Sequence, residues 1–244
     1  MKEGIDLDSV AQKYNETNVI WNEADMWHMR SKNSIEQFIY SSLAFALNSQ
    51  DLEILNAGSA GYSYGLNEDQ IIHIDIAHER ITHLQNSIVA DIHKIPLEDE
   101  RFDMVICVGS VINYCDPIVA IKELSRVLTK NGYLILEFEN SHTFELVGRS
   151  EFNKKAILVN TFYNGRSEKI WYFSESYIRE ICSLCGLEVI SLKRWHILSS
   201  LVYRITKSEN YAAKFSSIDS LLSKIPILKK FSSNTIFLLK KKEL

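Results

Sequence analysis

Between residues 52 and 139 the chain repeats one pattern: a short apolar run of strand length, a turn of small or acidic residues, and a stretch with helical periodicity. Residues 52–57, 71–76, 88–90, 102–108 and 133–139 read as strands, rich in Ile, Val, Leu and Phe and bounded by turn residues. Before the last of these, Ile118, Val119, Ile121, Leu124, Val127 and Leu128 recur with a period of about 3.6 residues, which predicts a helix over 118–129. Lys130-Asn131-Gly132 reads as its glycine cap. Strands that alternate with helices imply an α/β fold with a mostly parallel sheet covered by helices, because parallel neighbours need a helix-length crossover. In such sheets ligands sit beyond the carboxyl ends of the strands, so function is sought in the turn that follows each strand.

The rest of the chain fits around that core. Residues 1–50 read as a helical preface, 51–140 as the ligand-binding core, 141–175 as an insertion, and 176–244 as the C-terminal part of the sheet. That last part holds a helix over 176–184, strands over 187–192 and 234–240, and a helical segment over 211–224. With 244 residues and 46% hydrophobic composition, one domain spanning 1–244 is expected. No apolar run reaches the roughly 18 residues that cross a bilayer, and Met1-Lys2-Glu3-Gly4-Ile5-Asp6 lacks the order of a secretory signal, so the expected location is cytoplasmic. Cys107, Cys115, Cys182 and Cys185 fit a reducing compartment. Cys182-Ser183-Leu184-Cys185 lies in a helical stretch with no second Cys or His pair at zinc spacing; it reads as helix packing, and no metal is expected. The net charge of −4 conceals an asymmetry: residues 1–150 carry 11 Lys/Arg against 23 Asp/Glu, and residues 151–244 carry 16 against 8. A basic half attracts an anionic substrate, a nucleic acid or a membrane surface, although a solvated charged face is the commoner cause.

The first strand runs into Asn56-Ala57-Gly58-Ser59-Ala60-Gly61, followed by Tyr62-Ser63-Tyr64-Gly65. Small residues there let backbone approach a ligand, and amides at such a turn bind an anionic group such as an amino-acid carboxylate. Asp75 ends the second strand 17 positions after Gly58 (75 − 58), where a carboxylate accepts from both ribose hydroxyls; capping of the next helix is the alternative. Asp91 follows the third strand, placed to meet an adenine amino group while Ile92 packs on the ring, or simply to cap its own loop. Val108-Gly109-Ser110, at the end of the fourth strand, leaves room beside such a ligand.

These pieces, with Phe102-Asp103-Met104-Val105 and Glu123-Leu124-Ser125-Arg126-Val127-Leu128-Thr129-Lys130-Asn131-Gly132-Tyr133, resemble the class I S-adenosylmethionine-dependent methyltransferase superfamily over residues 50–140 or so. The resemblance implies a Rossmann-like three-layer sandwich whose seven-stranded, mostly parallel sheet has an antiparallel last strand. It also implies S-adenosyl-L-methionine as cofactor, with S-adenosyl-L-homocysteine as its product. The candidate cofactor residues are Asn56, Ala57, Gly58, Ser59, Gly61, Asp75, Ile76, Asp91, Ile92, Val108, Gly109 and Ser110. Two positions depart from the superfamily pattern. Asn56 stands where an acid is usual and keeps an acceptor without the charge, and Ala60 stands where Gly-x-Gly would place a second glycine, with Gly61 and Gly65 restoring backbone freedom.

In this superfamily the substrate groups come largely from the preface and the late insertion. The preface offers Tyr14, Trp21, Trp27, His28 and Arg30, in which Trp27 stacks, His28 moves a proton and Arg30 binds a carboxylate; a packed amphipathic helix is the plain alternative. In the insertion, Asn164-Gly165 is a turn signal, Tyr163, Trp171 and Tyr172 cover a guest as a lid, and Arg166 grips an acid. Asn113 and Tyr114, just after the fourth strand, lie near the reacting methyl group. The expected catalytic set is His28, Tyr14 and Tyr114, with Trp27, Arg30, Asn113, Tyr163 and Arg166 binding substrate. Oxygen methylation of a natural product or peptide, at a carboxylate in particular, is the expected reaction, by analogy within the superfamily. A small-molecule or peptide partner is expected rather than a nucleic acid. A non-catalytic cofactor-binding subunit is the alternative, motivated by Asn56 and Ala60. A nicotinamide-dependent oxidoreductase ranks lower, because the turn lacks Gly-x-Gly-x-x-Gly.

Overall fold

The computed structural model describes residues 4–46, 52–163 and 166–243. Two preface helices, α1 (Leu7–Glu16) and α2 (Met26–Ala46), precede the strand–helix alternation. The core then runs β1 (Ile54–Ala57), β2 (Ile71–Asp75), α3 (His78–Ile81), β3 (Ser87–Val89), β4 (Phe102–Cys107), α4 (Pro117–Val127) and β5 (Leu128–Glu139). The insertion forms β6 (Ala156–Tyr163) and β7 (Arg166–Phe173); α5 (Glu175–Leu184), β8 (Leu187–Trp195), α6 (Leu198–Thr206), α7 (Glu209–Ala213), α8 (Ser216–Leu222) and β9 (Asn234–Lys241) complete it.

Seven strands pair in the order β3-β2-β1-β4-β5-β9-β8. All neighbours are parallel except β9, which runs antiparallel to both β5 and β8. The sheet is buried on both faces, as its near-continuous apolar strands require. Side chains alternate between two cores with the period of two that a strand imposes. Val105, Cys107, Phe237 and Leu239 pack with Ile121, Leu124, Ile178 and Ile181 of α4 and α5, while Met104, Ile106, Ile236 and Leu238 pack with Ile35, Phe38 and Ile39 of α2. This is the expected three-layer, Rossmann-like sandwich with an antiparallel last strand.

Local chemistry sets the element ends. Helix α4 starts where Asp116 accepts from the amides of Ile118 and Val119 and where Pro117, lacking a donor, occupies its first turn. Its other end differs from the sequence expectation. The helix stops at Val127, Leu128 is already extended and pairs with Phe102, and the left-handed residue is Asn131, with φ 65°. Gly132 is no cap: a Cβ there would sit 2.9 Å from the Thr129 carbonyl oxygen and 3.1 Å from that of Asp103, so glycine is required by close backbone approach. The insertion is a β-hairpin, although Asn164 and Gly165 lie outside the described residues. The helical segment expected over 211–224 is two short helices, and α6 before them was not foreseen. Cys182 is buried on α5 against the core, and all four cysteines are free thiols, consistent with helix packing.

Truncating a fully buried core side chain leaves a void. Phe237 is fully buried and meets Phe138 edge-on at 5.2 Å. Phe237→Ala is expected to lower stability by roughly 3–5 kcal/mol, and a melting temperature by about 10 °C for a chain of this size, measured by thermal unfolding followed by circular dichroism.

Candidate active site

Strand order reverses between β1 and β4, and a deep cavity opens beyond the carboxyl ends of the strands there. Its floor comes from successive strand ends: Gly58, Ser59 and Ala60 after β1, Asp75 and Ile76 at β2, Asp91 and Ile92 after β3, Val108, Gly109 and Ser110 after β4, and Glu137 and Glu139 on β5. The glycine turn is fastened to β2, since the amides of Gly58 and Ser59 both donate to the Ile74 carbonyl, at 2.8 and 3.2 Å. Gly58 has φ +73° and lies so close to Val111 that a Cβ would come within 2.4 Å of its side chain.

Asp75 braces this turn. One carboxylate oxygen accepts from the amide of Ala60 at 2.7 Å, and the other from that of Ala77 at 2.8 Å. Ala60 is left-handed, with φ 45°, a conformation that costs an L-residue roughly 1–2 kcal/mol and that the Asp75 bond offsets. Burial raises the Asp75 pKa, and the amides hold the rise in check. The Gly61 amide donates to Ser59 Oγ at 3.1 Å. The amides of residues 58–61 are therefore all engaged within the protein, and the anion nest expected there is absent from this turn. Trp21 lines the cavity as well, and its buried Nε1 has no hydrogen-bond partner among the described residues.

Asp91 lines the cavity and also caps its loop, accepting from the His93 amide at 2.9 Å and from His93 Nδ1 at 2.7 Å. His93 Nε2 accepts from the Asp116 amide at 2.9 Å, which leaves Nδ1 to carry the proton toward Asp91 and ties the loop to the start of α4.

The roof comes from the preface, the hairpin and the C-terminal helices. Tyr14 of α1, Trp27 and His28 of α2, Glu168 and Tyr172 of β7, Tyr203 of α6 and Glu209 of α7 all face the cavity, together with Tyr114 and Glu145. Tyr114 donates to Glu168 at 2.7 Å and accepts from Lys13 Nζ at 3.0 Å, with Tyr14 Oη at 3.4 Å; Lys13 and Glu168 form an ion pair. Burial pushes the Tyr114 phenol well above its ordinary pKa, with Tyr14 and Glu168 adding to the rise, so it acts as a donor and not as a base. His28 Nδ1 lies 2.5 Å from Asp25 Oδ2, while Asp25 Oδ1 accepts from the amides of Trp27 and His28 at the start of α2. Burial opposes the charged imidazolium, but the hydrogen bond and charge of Asp25, with Glu209 and Glu168, outweigh it, and the His28 pKa is raised. Asp25, His28 and Glu209 offer atoms within 4.8 Å of one another, a spacing a metal ion can bridge, although both Asp25 oxygens already have partners.

The structure thus gathers Tyr14, His28, Tyr114 and Trp27 with most of the predicted cofactor residues, and it sets others elsewhere. Asn56 is buried behind the turn and donates from Nδ2 to the Tyr62 carbonyl at 2.7 Å, Ala57 belongs to the core, and Gly61 abuts the Arg80 carbonyl of α3. Arg30 points into a separate cleft with Lys193, Arg194 and Lys229, and donates to the Ser216 carbonyl at 3.3 Å. Asn113 is fully buried and clamps the hairpin to β5, accepting from the Glu139 amide at 3.1 Å and donating to the Trp171 carbonyl. Tyr163 and Arg166 pair across the hairpin tip, but their side chains lie outside the described residues. Trp27 stacks at 3.6 Å on His196, which is buried and whose pKa burial lowers well below normal, with His28 and Arg30 contributing.

Several residues of the cavity were not singled out from sequence. Glu137 accepts from the Ser110 amide at 2.6 Å and from Asn234 Nδ2 at 2.8 Å; Glu139 accepts from Ser110 Oγ at 3.2 Å and Asn234 Nδ2 at 2.9 Å. Two acids at i and i+2 in an apolar strand lie on one face, a signal that was available. Asp25, three residues before His28, carries the mark of a helix start. Glu145, Glu168 and Glu209 had no such signal.

Residues 39–136, from α2 to β5, match the family model described as a methyltransferase domain. Among curated proteins, the demethylmenaquinone methyltransferase of Chlamydia trachomatis serovar L2 is 32% identical over 107 residues, 42% of this chain and 46% of that protein. The chain spans about half the length of the curated relatives it matches. Among solved structures, the 1,6-didemethyltoxoflavin-N1-methyltransferase of Burkholderia thailandensis, bound to S-adenosylhomocysteine, superposes with a TM-score of 0.57 at 11% identity, over 97% of this chain and 87% of that one. The [4+2]-cyclase SpnF gives 0.58 at 13% identity, over 98% and 99%. Residues 39–136 thus match a methyltransferase domain, and the chain has a Rossmann-like methyltransferase fold.

Gly58→Ala is expected to weaken S-adenosylhomocysteine binding at least tenfold by calorimetric titration, because the new Cβ strikes Val111. Adding Val111→Ala is expected to recover part of that loss; the remainder reflects the left-handed backbone.

Proposed function

We propose that the chain transfers a methyl group from S-adenosylmethionine to a hydroxyl or amine of a small organic molecule or peptide. The observation that carries this reading is one cavity joining the strand-end floor to the Asp25–His28 pair. The residues fit the cofactor: Asp75 and Asp91 follow successive strands, each with lone pairs remaining for a ribose or an adenine amine, and Trp21 Nε1 offers an unpartnered donor to an acceptor such as its carboxylate. When bound, the cofactor supplies an electrophilic methyl carbon whose bond to sulfur breaks, electrons to sulfur, as the acceptor's lone pair bonds it.

The chain's own task is to orient the acceptor and remove its proton. His28 takes that proton, held in one ring orientation by Asp25, which also stabilises the imidazolium together with Glu209 and Glu168. Tyr114, kept protonated by burial and donating to Glu168, forms a fixed wall beside the acceptor. A carboxylate acceptor fits less well than sequence implied, because Arg30 points away and the cavity wall is acidic. The likeness to a [4+2]-cyclase shows that this fold also hosts other chemistry, so a cofactor-binding protein without methyl transfer is the second reading.

Incubation with methyl-labelled S-adenosylmethionine and size-fractionated cell extract tests it: label is expected in an alkali-stable product, and binding of NAD in place of S-adenosylhomocysteine sinks the proposal. His28→Gln is expected to lower kcat/KM by about 100-fold. Asp25→Asn removes the group that raises the His28 pKa. The acid limb of the pH profile, where the base must be neutral, is expected to shift to lower pH as kcat falls; an unmoved limb excludes the pair as the base.

A further inference from the structure

We infer that the acceptor substrate carries a positively charged nitrogen, seated among Glu145, Glu209, Tyr172 and Tyr203 at the roof of the cavity. The inference rests on the methyltransferase reading for the floor and adds the substrate class.

The cavity lining holds seven carboxylates and, among the described residues, no Lys or Arg. Most of these acids are accounted for within the fold. Asp75 and Asp91 belong to the floor, Glu137 and Glu139 accept from Ser110 and Asn234, and Glu168 pairs with Lys13. Glu145 and Glu209 are different: among the described residues no side-chain hydrogen bond engages either carboxylate, and Glu209 faces only the Asp25–His28 pair, within 4.8 Å. Arg149 is exposed and paired with Glu151, Arg204 donates to the carbonyls of Phe144 and Val147, and Lys207 is exposed beside the Tyr203 ring, 5.9 Å from its centroid.

Two carboxylates without a hydrogen-bonding partner, facing a desolvated space, repel one another and favour a cation that enters. Burial lifts Glu145 to about 7 despite Lys207 and Arg149, with Glu209 opposing its ionisation; burial also raises Glu209, against the pull of His28. The second feature is aromatic. Tyr172 and Tyr203 line the same part of the cavity, and burial keeps both phenols protonated and neutral. Aromatic faces with nearby carboxylates are the chemistry that holds an organic ammonium group, by cation–π attraction and charge together. An anionic guest would meet these acids with only His28, already engaged by Asp25, to offset them, and a neutral guest would leave Glu145 without a counter-charge.

The test titrates the full chain, saturated with S-adenosylhomocysteine, with three isosteric probes: phenethylamine as its ammonium ion, 2-phenylethanol and phenylacetate. The ammonium ion is expected to bind at least tenfold more tightly than the alcohol, with phenylacetate weakest. Glu145→Gln and Glu209→Gln are each expected to remove most of that preference while S-adenosylhomocysteine affinity stays within about twofold, which also reports an intact fold. Equal binding of the probes, absence of ammonium binding, or a preference that survives both substitutions overturns the inference. So does a variant that weakens S-adenosylmethionine but not S-adenosylhomocysteine, since the acids would then serve the cofactor's sulfonium. If S-adenosylhomocysteine itself does not bind, the methyltransferase reading fails separately, and the ranking of probes on the ligand-free protein still decides this one.

Discussion

The buried carboxylate of Asp75 holds two backbone amides, one on each side of the cavity floor, and the shape of the floor depends on both. Through Ala60 it keeps an L-residue left-handed in a turn where a second glycine would be usual; through Ala77 it fixes the entry to α3. The turn is tied as well to the Ile74 carbonyl, so β1, β2 and the chain between them move as one piece. Departure from the Gly-x-Gly pattern is accommodated by a hydrogen bond to a charged group, which contributes about as much as the backbone conformation costs. The same bonds engage the turn's amides, so the ligand meets its shape and its neighbours' side chains rather than a ring of free donors.

The roof is held by longer connections. Lys13, Glu168, Tyr114 and Tyr14 form one network that joins the first helix, the inserted hairpin and the loop after β4. Asn113, one residue before Tyr114, ties the same hairpin to β5. His28 is oriented by an acid of its own helix start. The catalytic candidates therefore stand on rigid supports although they come from segments distant in sequence, which is what proton transfer at a fixed distance requires.

Charge separates the molecule differently from the chain. The first 150 residues are acidic and the remainder basic, yet the cavity takes acids from both: Glu137, Glu139 and Glu145 from the first, Glu168 and Glu209 from the second. Among the described residues, no Lys or Arg of the second half lines the cavity; Lys193, Arg194 and Lys229 line the cleft that receives Arg30. A charge bias summed along a chain says little about the lining of a cavity, because neighbouring residues in a strand or helix point to opposite sides.

What the sequence determined by itself was the sheet, its helices and the strand ends that build the cavity floor, since these follow from periodicity and from turn residues at fixed offsets. Gly58, Asp75, Asp91 and Gly109 were legible for that reason, and so was His28 as a polar residue of an aromatic preface. Asn56, Arg30 and Asn113 carried the right chemistry and point elsewhere, into the turn's own backbone, another cleft and the hairpin clamp. Asp25 and the Glu137–Glu139 pair left local signals; Glu145, Glu168 and Glu209 left none. Only the tertiary structure brought those last acids together, because long-range packing of the hairpin and C-terminal helices over the sheet, and no local preference, sets which side chains share one low-dielectric space.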